Sequence, residues 1–150
     1  MITPLKYKWT TKETHEFHLP AYNGKLQTIH CKKQHKILAE ITPDGKLIVY
    51  EGYSWDGCTP KWKVADKHVI GVWDGKITYE GKQQMYYPSL VHDILCQIYN
   101  REHGINFYTR KDIDVIFHNE MTHPNLKINI VHNYLYYFGV RMYALLKGLK

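Results

Sequence analysis

The chain has 150 residues, a length at which one domain buries a substantial core, and we expect a single domain over residues 1–150. Lys and Arg outnumber Asp and Glu by 20 to 14, but they are scattered along the chain, which argues against a nucleic-acid site. A hydrophobic fraction of 44% excludes a disordered chain, and three cysteines cannot form a fully paired disulfide framework. A reducing compartment, the cytoplasm, fits this cysteine content best.

No apolar run reaches the roughly 18 residues that a membrane span requires. The most apolar stretch, residues 134–146, is interrupted by Arg141. We therefore expect no membrane span, and the N-terminal residues lack the apolar segment of a signal peptide.

The first half of the chain has the pattern of an antiparallel sheet between roughly residues 5 and 80. Short β-branched and aromatic runs, residues 36–41 and 46–53, lie between Gly-containing pairs that are typical of hairpin turns. These pairs are Asn23-Gly24, Asp44-Gly45, Asp74-Gly75 and Glu80-Gly81.

A different segment, Asp56-Gly57-Cys58-Thr59-Pro60, follows the best predicted strand. No β-branched run comes directly after it, so a hairpin partner is missing at this point. We expect a strand that leads into a structured loop.

The first of three predicted helices covers Ser89–Tyr99 and is apolar over more than half of its circumference. The remaining strip consists of His92, Asp93 and Cys96. If the helix is covered on all sides, this strip faces either other parts of the protein or a cleft.

The second predicted helix begins at a capping box, Thr109 to Asp112. Its buried face is predicted to contain Ile113, Ile116, Phe117 and Met121, and Asp114 falls at the margin of that face. A carboxylate in such a position needs a partner, for which His118 is one turn away.

The third predicted helix has an apolar seam at spacings of three and four residues over roughly 22 residues. Packing against the core is the favoured interpretation, and a coiled-coil helix is the alternative. A second stripe beside the seam contains Tyr134, Tyr137 and Arg141. The seam consists of Ile128, Val131, Leu135, Phe138, Met142, Leu145 and Leu149.

These elements predict an α+β fold, with an antiparallel sheet in the N-terminal half and three C-terminal helices packed on one face. We expect the functional site where the loop at Asp56 meets His92 and Asp114.

Three segments together resemble a family of small uncharacterised proteins of tailed phages and prophages. The shared residues lie in the Asp-Gly segment, the His-Asp helix, the Arg-x-x-x-Asp-x-x-Phe helix and the last helix. They are Gly52, Tyr53, Asp56, Gly57, Cys58, Thr59, Pro60, His92, Asp93, Leu95, Arg110, Asp114, Phe117, Met121 and Gly139. The resemblance implies a phage origin, with the host cytoplasm or the virion as location and virion proteins as partners.

The resemblance singles out Asp56, His92, Asp93 and Asp114 as one set of polar residues. Imidazole and carboxylate groups are suitable ligands for Zn²⁺ or Mn²⁺, and a metal-bound water can attack a phosphoester or amide. The resulting hypothesis is a small hydrolase in which His92, Asp114 and Asp56 are catalytic. The residues expected to lie behind the site and to orient its side chains are Arg110, His118 and Arg141.

Two alternatives remain open. In the first, the protein is a non-enzymatic virion or tail-associated structural protein that needs no cofactor, and its His and Asp residues form a buried polar network. In that network His92 bonds Asp114, and Asp93 pairs with Arg110 or Arg141. In the second alternative, Cys58, His92 and Asp114 act as nucleophile, base and orienting acid of a thiol hydrolase.

Overall fold

The structure, a computed structural model, describes residues 9–31, 34–57, 61–64, 68–71, 75–102 and 108–149. Antiparallel strands lie between residues 9 and 83 and three helices between 86 and 146, which confirms the α+β class. The chain divides into two compact units. Unit 1 contains Met1–Asp56 and Gln97–Phe107, and unit 2 contains Gly57–Cys96 and Tyr108–Lys150.

Unit 1 contains a four-stranded antiparallel sheet in the order β2-β5-β4-β3. A separate short strand pair is formed by β1 and β6. The strands are β1 (Trp9–Thr10), β2 (His15–His18), β3 (Gln27–His30), β4 (Ile37–Ile41), β5 (Lys46–Val49) and β6 (Ser54–Trp55). The described strands form one four-stranded sheet and three two-stranded pairs rather than one continuous sheet.

The predicted hairpin at Asp44-Gly45 is confirmed, because it joins β4 to β5. Ile41 pairs with Leu47 across this hairpin and both are buried, as the alternation of strand side chains requires. Gly45 has a φ of +85°, and a Cβ there would lie 3.1 Å from the carbonyl oxygen of Leu19. Only glycine fits this turn without strain.

Unit 2 contains two further strand pairs. β7 (Lys61–Val64) pairs with β8 (His68–Gly71), and β9 (Ile77–Tyr79) pairs with β10 (Lys82–Gln83). The predicted turn at Glu80-Gly81 joins β9 to β10. Both of its residues have a positive φ, 50° and 69°, which is the conformation of a type I′ hairpin turn.

The helices are α1 (Tyr86–Glu102), α2 (Arg110–Glu120) and α3 (Ile130–Leu146), with a 3-10 turn at Pro124–Leu126. α1 starts three residues earlier than predicted and includes Pro88. Proline is tolerated there because the first turn of a helix has no internal partner for its N–H groups. In the part of the chain that the structure describes, no helix has the length and apolar character needed to cross a membrane.

α3 is shorter than the predicted 22 residues. Asn129 caps its first turn, since its side chain accepts a hydrogen bond from the backbone N–H of Val131, and Lys147 follows its last turn. Ile128 and Leu149, the two ends of the predicted seam, therefore lie outside the helix. Ile128 instead packs against the cluster formed by Met85, Phe117, Met121 and Val140.

The face of α3 that packs inside unit 2 is not the predicted one. Asn133, Val140 and Ala144 are its buried residues. They lie on the side opposite the predicted seam, whose five members within the helix are exposed: Val131, Leu135, Phe138, Met142 and Leu145. The core-packing interpretation of the seam is therefore wrong. α3 is apolar on almost every side, so spacing alone could not tell which face meets the rest of the chain.

Candidate functional site

Asp114 is the centre of the candidate site. It lies on α2, one turn after the start of the helix at Thr109, where the predicted capping box with Asp112 is confirmed. Ile113 and Phe117 beside it are buried as predicted, and Asp114 itself is fully buried, at 0% exposure. A carboxylate at this depth is stable only with partners for its oxygens.

Asp114 receives those partners from three helices. Its Oδ1 accepts hydrogen bonds from His92 Nε2 of α1 at 2.8 Å and from Arg110 Nε of α2 at 3.2 Å. Its Oδ2 accepts a hydrogen bond from Arg141 Nη1 of α3 at 2.9 Å. The prediction that Asp114 needs a partner is confirmed, and the His92–Asp114 bond is the one expected for a buried network.

The electrostatics keep Asp114 ionised. Burial alone would raise the pKa of its carboxyl, but the hydrogen bond and charge of His92, together with Arg110 and Arg141, hold that pKa below the usual value of 3.8. The carboxylate and the two guanidinium groups form charge-assisted hydrogen bonds. We call these four residues, His92, Arg110, Asp114 and Arg141, the Asp114 cluster.

His92 is protonated in this environment. Only 5% of it is exposed, and its ring lies 4.8 Å from the ring of Phe117, centre to centre. Burial by itself lowers the pKa of His92, but the neighbouring Cys96 sulfur and the hydrogen bond to Asp114 outweigh burial and raise the pKa to about 9. The imidazolium therefore contributes a positive charge to the cluster at neutral pH.

Cys96 lies one helical turn after His92 and is half-buried. Its Sγ is 3.7 Å from Nε2 and 3.8 Å from Nδ1 of His92. Nearly equal distances to both nitrogens of one ring place the sulfur away from the N–H direction of either. The contact is an electrostatic one between sulfur and imidazolium rather than a well-aligned hydrogen bond.

His118 is not a partner of Asp114, contrary to the expectation. Its Nδ1 lies 2.6 Å from the side-chain oxygen of Asn133 on α3. Its ring is 5.1 Å from that of Tyr134 and 5.2 Å from that of Tyr137. His118 thus joins α2 to α3 at a second position, separate from the Asp114 cluster.

The contacts described here do not test the grouping of the other predicted site residues with Asp114. Asp56 follows β6 in unit 1 and is half-buried, whereas the Asp114 cluster belongs to unit 2. Asp93 is half-buried on α1 and is not one of the hydrogen-bond partners of Asp114 given above. Cys58, Thr59 and Pro60 lie outside the described residues. Among the described residues, no group of three or more His, Cys, Asp or Glu side chains is arranged to hold a metal ion.

The direct contacts of two arginines with Asp114 were not predicted from the sequence. Arg110 and Arg141 were expected to support the site from behind, but both bond the carboxylate directly. The four-residue spacing of Arg110 and Asp114 on one helix is a signal that could have shown the first contact. No local signal predicts the second, because residues 114 and 141 are on different helices.

The exposed face of α3 is a second candidate surface. Val131, Leu135, Phe138, Met142 and Leu145, here called the α3 seam, are all exposed, and Ile130, Tyr134 and Leu146 flank them. The exposed fractions of these eight side chains run from 48% to 77%. A run of large exposed apolar side chains along one helix face is typical of an interaction surface.

Comparisons of the chain with protein-family models, with curated proteins and with solved structures found no match.

Proposed function

We propose that this protein is a non-enzymatic assembly protein that is held in a larger particle through the exposed face of α3. The observation that carries the proposal is the α3 seam. α3 packs against the rest of unit 2 through Asn133, Val140 and Ala144, and the larger apolar side chains of the same helix are exposed to water. Such a face is stabilised when another protein surface covers it.

The Asp114 cluster supports a structural role for the site. A hydrolase needs its acid and base beside a cleft that admits substrate. Asp114 is fully buried, and its oxygens accept hydrogen bonds from His92 and two arginines. Two guanidinium groups on the carboxylate also oppose the binding of a metal cation there. The cluster instead joins α1, α2 and α3, so that α3 is held with its seam outward.

The resemblance to small phage and prophage proteins supports the virion or tail as the particle. The matching residues Arg110, Asp114 and Phe117 belong to the buried part of α2. In this proposal the family pattern maintains the helix arrangement, and the α3 seam provides the contact with neighbouring virion proteins.

The test is to locate the protein in particles produced by cells that carry its gene. Particles are purified on a density gradient, and the chain is quantified by mass spectrometry for the wild type and for Leu135→Asp. We expect the wild type in the particle fraction and at least a tenfold loss for Leu135→Asp.

Lys111→Gln is the matched control, because Lys111 is exposed on α2 away from the seam. It should leave the particle content unchanged. A wild-type chain that is absent from the particles, or a Leu135→Asp variant that is retained as well as the control, would contradict the assembly function.

A thiol hydrolase is the second candidate, favoured by the contact of Cys96 with His92 and of His92 with Asp114. Cys96, rather than Cys58, is the cysteine described beside His92. A thiolate stabilised by the imidazolium would attack an acyl carbon, and His92 would protonate the leaving group.

Labelling with iodoacetamide at pH 7 tests this second candidate, with Cys31 as the internal reference because it is also half-buried. The thiol hydrolase requires Cys96 to react at least tenfold faster than Cys31 and to lose that advantage in Asp114→Asn. Equal, slow labelling of both cysteines leaves the assembly function as the sole proposal.

A further inference from the structure

We infer that the α3 seam binds a second copy of this chain, with the two α3 helices antiparallel. The inference rests on the proposed assembly function and names its partner. Its basis is the combination of spacing, area and charge on the exposed side of α3.

The spacing of the seam suits a helix as its partner. Val131, Leu135, Phe138, Met142 and Leu145 follow one another at intervals of four, three, four and three residues. This is the pattern with which one helix inserts its side chains between those of another. α3 is apolar on almost every side, and among the described residues its buried positions lie on the side opposite the α3 seam.

The exposed area is sufficient for a stable dimer. Eight large apolar side chains that are about half to three-quarters exposed present on the order of 900 Å², comparable with the roughly 800 Å² per partner of a standard interface. Phe138 and Tyr134 provide the aromatic groups that are enriched at the centres of such interfaces.

The charges of α3 favour a second copy over a lipid surface or an acidic protein. Between Ile130 and Leu146 the sequence has one permanently charged residue, Arg141, and its guanidinium is bound to Asp114. A helix that lies on an anionic membrane needs Lys and Arg along its polar flanks, which α3 lacks. An uncharged apolar seam can face its own copy without repulsion between like charges.

The order of side chains favours the antiparallel arrangement. Phe138 is the midpoint of Ile130–Leu146, with eight residues on either side. In an antiparallel pair centred on Phe138, Val131 lies opposite Leu145, Tyr134 lies opposite Met142, and the ring of Phe138 meets its own copy at the centre. Antiparallel helix dipoles also attract each other.

A charge-pair experiment tests whether the partner is a second copy. Interfaces of this area bind with affinities from micromolar to picomolar, so mass is measured by light scattering up to about 100 μM. We expect the wild type at twice the 17.8 kDa of the chain. Phe138→Glu and Phe138→Lys should each be monomeric, because like charges meet at the centre of the pair, and their mixture should regain the dimer mass.

Lys111→Glu is the control and should keep the dimer mass, since Lys111 lies on α2 away from the seam. Far-ultraviolet circular dichroism of each Phe138 variant verifies that the helices are retained. A wild-type chain that stays monomeric at about 100 μM, or charged variants that stay dimeric, would overturn the inference.

Cysteine crosslinking tests the orientation. Val131→Cys is mixed with Leu145→Cys under mild oxidation, and peptide mapping identifies the joined residues. The antiparallel pair predicts crosslinks between positions 131 and 145. Crosslinks of position 131 with itself would overturn the antiparallel arrangement and indicate a parallel pair.

The two proposals can fail separately. Suppose that the wild type is monomeric and binds neutral and anionic vesicles only weakly, but that the Leu135→Asp variant is lost from particles. Another particle protein then covers the seam, and the second-copy inference is overturned. Strong binding of the wild type to anionic vesicles, lost in Leu135→Asp, would overturn it in favour of lipid. A dimer that dissociates in Phe138→Glu but is absent from particles supports the inference and contradicts the particle function.

Discussion

Arg141 of α3 donates a hydrogen bond to Asp114 of α2 over 2.9 Å, and this bond joins two helices through a fully buried carboxylate. The same carboxylate accepts a hydrogen bond from His92 of α1. One residue therefore connects all three helices. This arrangement determines which side of α3 faces the chain and which side faces water.

Replacing Asp114 with Asn should lower the free energy of unfolding by about 3 kcal/mol. The substitution keeps the shape of the side chain but leaves Arg110, which is 5% exposed, without its counter-charge. Urea unfolding measures the loss. Lys111→Gln on the same helix should change stability by less than about 0.5 kcal/mol. Equal effects of the two substitutions would show that the cluster does not stabilise the fold.

His92 should make stability depend on pH on the alkaline side. Its pKa is raised from 6.5 to about 9 in the folded chain, so its stabilising contribution is complete below pH 6.5 and is lost as pH rises through about 9. The contribution of Asp114, whose pKa is lowered, is present above pH 3.8 and is lost only in stronger acid.

Unfolding free energies measured from pH 6 to pH 10 test this pH dependence. Between pH 6.5 and 9, the wild type should lose more stability than His92→Gln does. His132→Gln is the matched control, because His132 is exposed on α3, and it should behave as the wild type. A parallel decline of all three proteins would contradict the assignment to His92.

Thr109→Ala should destabilise the chain by about 1 kcal/mol. The hydroxyl of Thr109 accepts a hydrogen bond from the backbone N–H of Asp112 and anchors the first turn of α2, one turn before Asp114. Thermal unfolding measures the effect. Thr109→Ser keeps the hydroxyl and should restore most of the stability, and a Ser variant as unstable as the Ala variant would contradict a capping role.

The two faces of α3 should respond differently to truncation. Val140→Ala removes buried side-chain volume and should cost about 2 kcal/mol. Leu135→Ala removes an exposed side chain and should cost less than about 0.5 kcal/mol when unfolding is measured at low concentration, where the proposed dimer would be dissociated. The reverse order would mean that the seam packs inside its own chain, as the sequence interpretation had it.

Chelation should leave the thermal stability of the untagged protein unchanged if the Asp114 cluster is stabilised by its own arginines. Elemental analysis is the companion measurement. Near-stoichiometric Zn or Mn that is lost in His92→Ala would contradict the structural role and support the metal-assisted hydrolase.

The α+β class and the element types could be predicted because their signals are local. Hairpin turns at Asp44-Gly45 and Glu80-Gly81 depend on residues that accept a positive φ. The capping box at Thr109 and the buried face of α2 depend on positions within one or two turns. The division into separate strand pairs could not be predicted, since pairing depends on distant segments.

The candidate site was predicted in part. The sequence indicated that Asp114, a carboxylate beside a buried helix face, requires a partner, and the family resemblance selected His92 together with it. It also grouped Asp56 and Asp93 with them, a grouping that no described contact tests. It chose His118 where the structure has Arg110 and Arg141. The four-residue spacing of Arg110 and Asp114 on one helix could have shown the first contact, whereas Arg141 lies on another helix and has no signal in the spacing.

By itself, the sequence determined that α3 would be a helix rich in apolar residues, since helix periodicity is a property of the local chain. Only the tertiary structure decided which side of that helix is covered. α3 is apolar on nearly every side, so hydrophobicity allows several packed faces of similar energy. The bond of Arg141 to the buried Asp114 and the burial of Val140 and Ala144 select one face, and the α3 seam is left exposed for a partner.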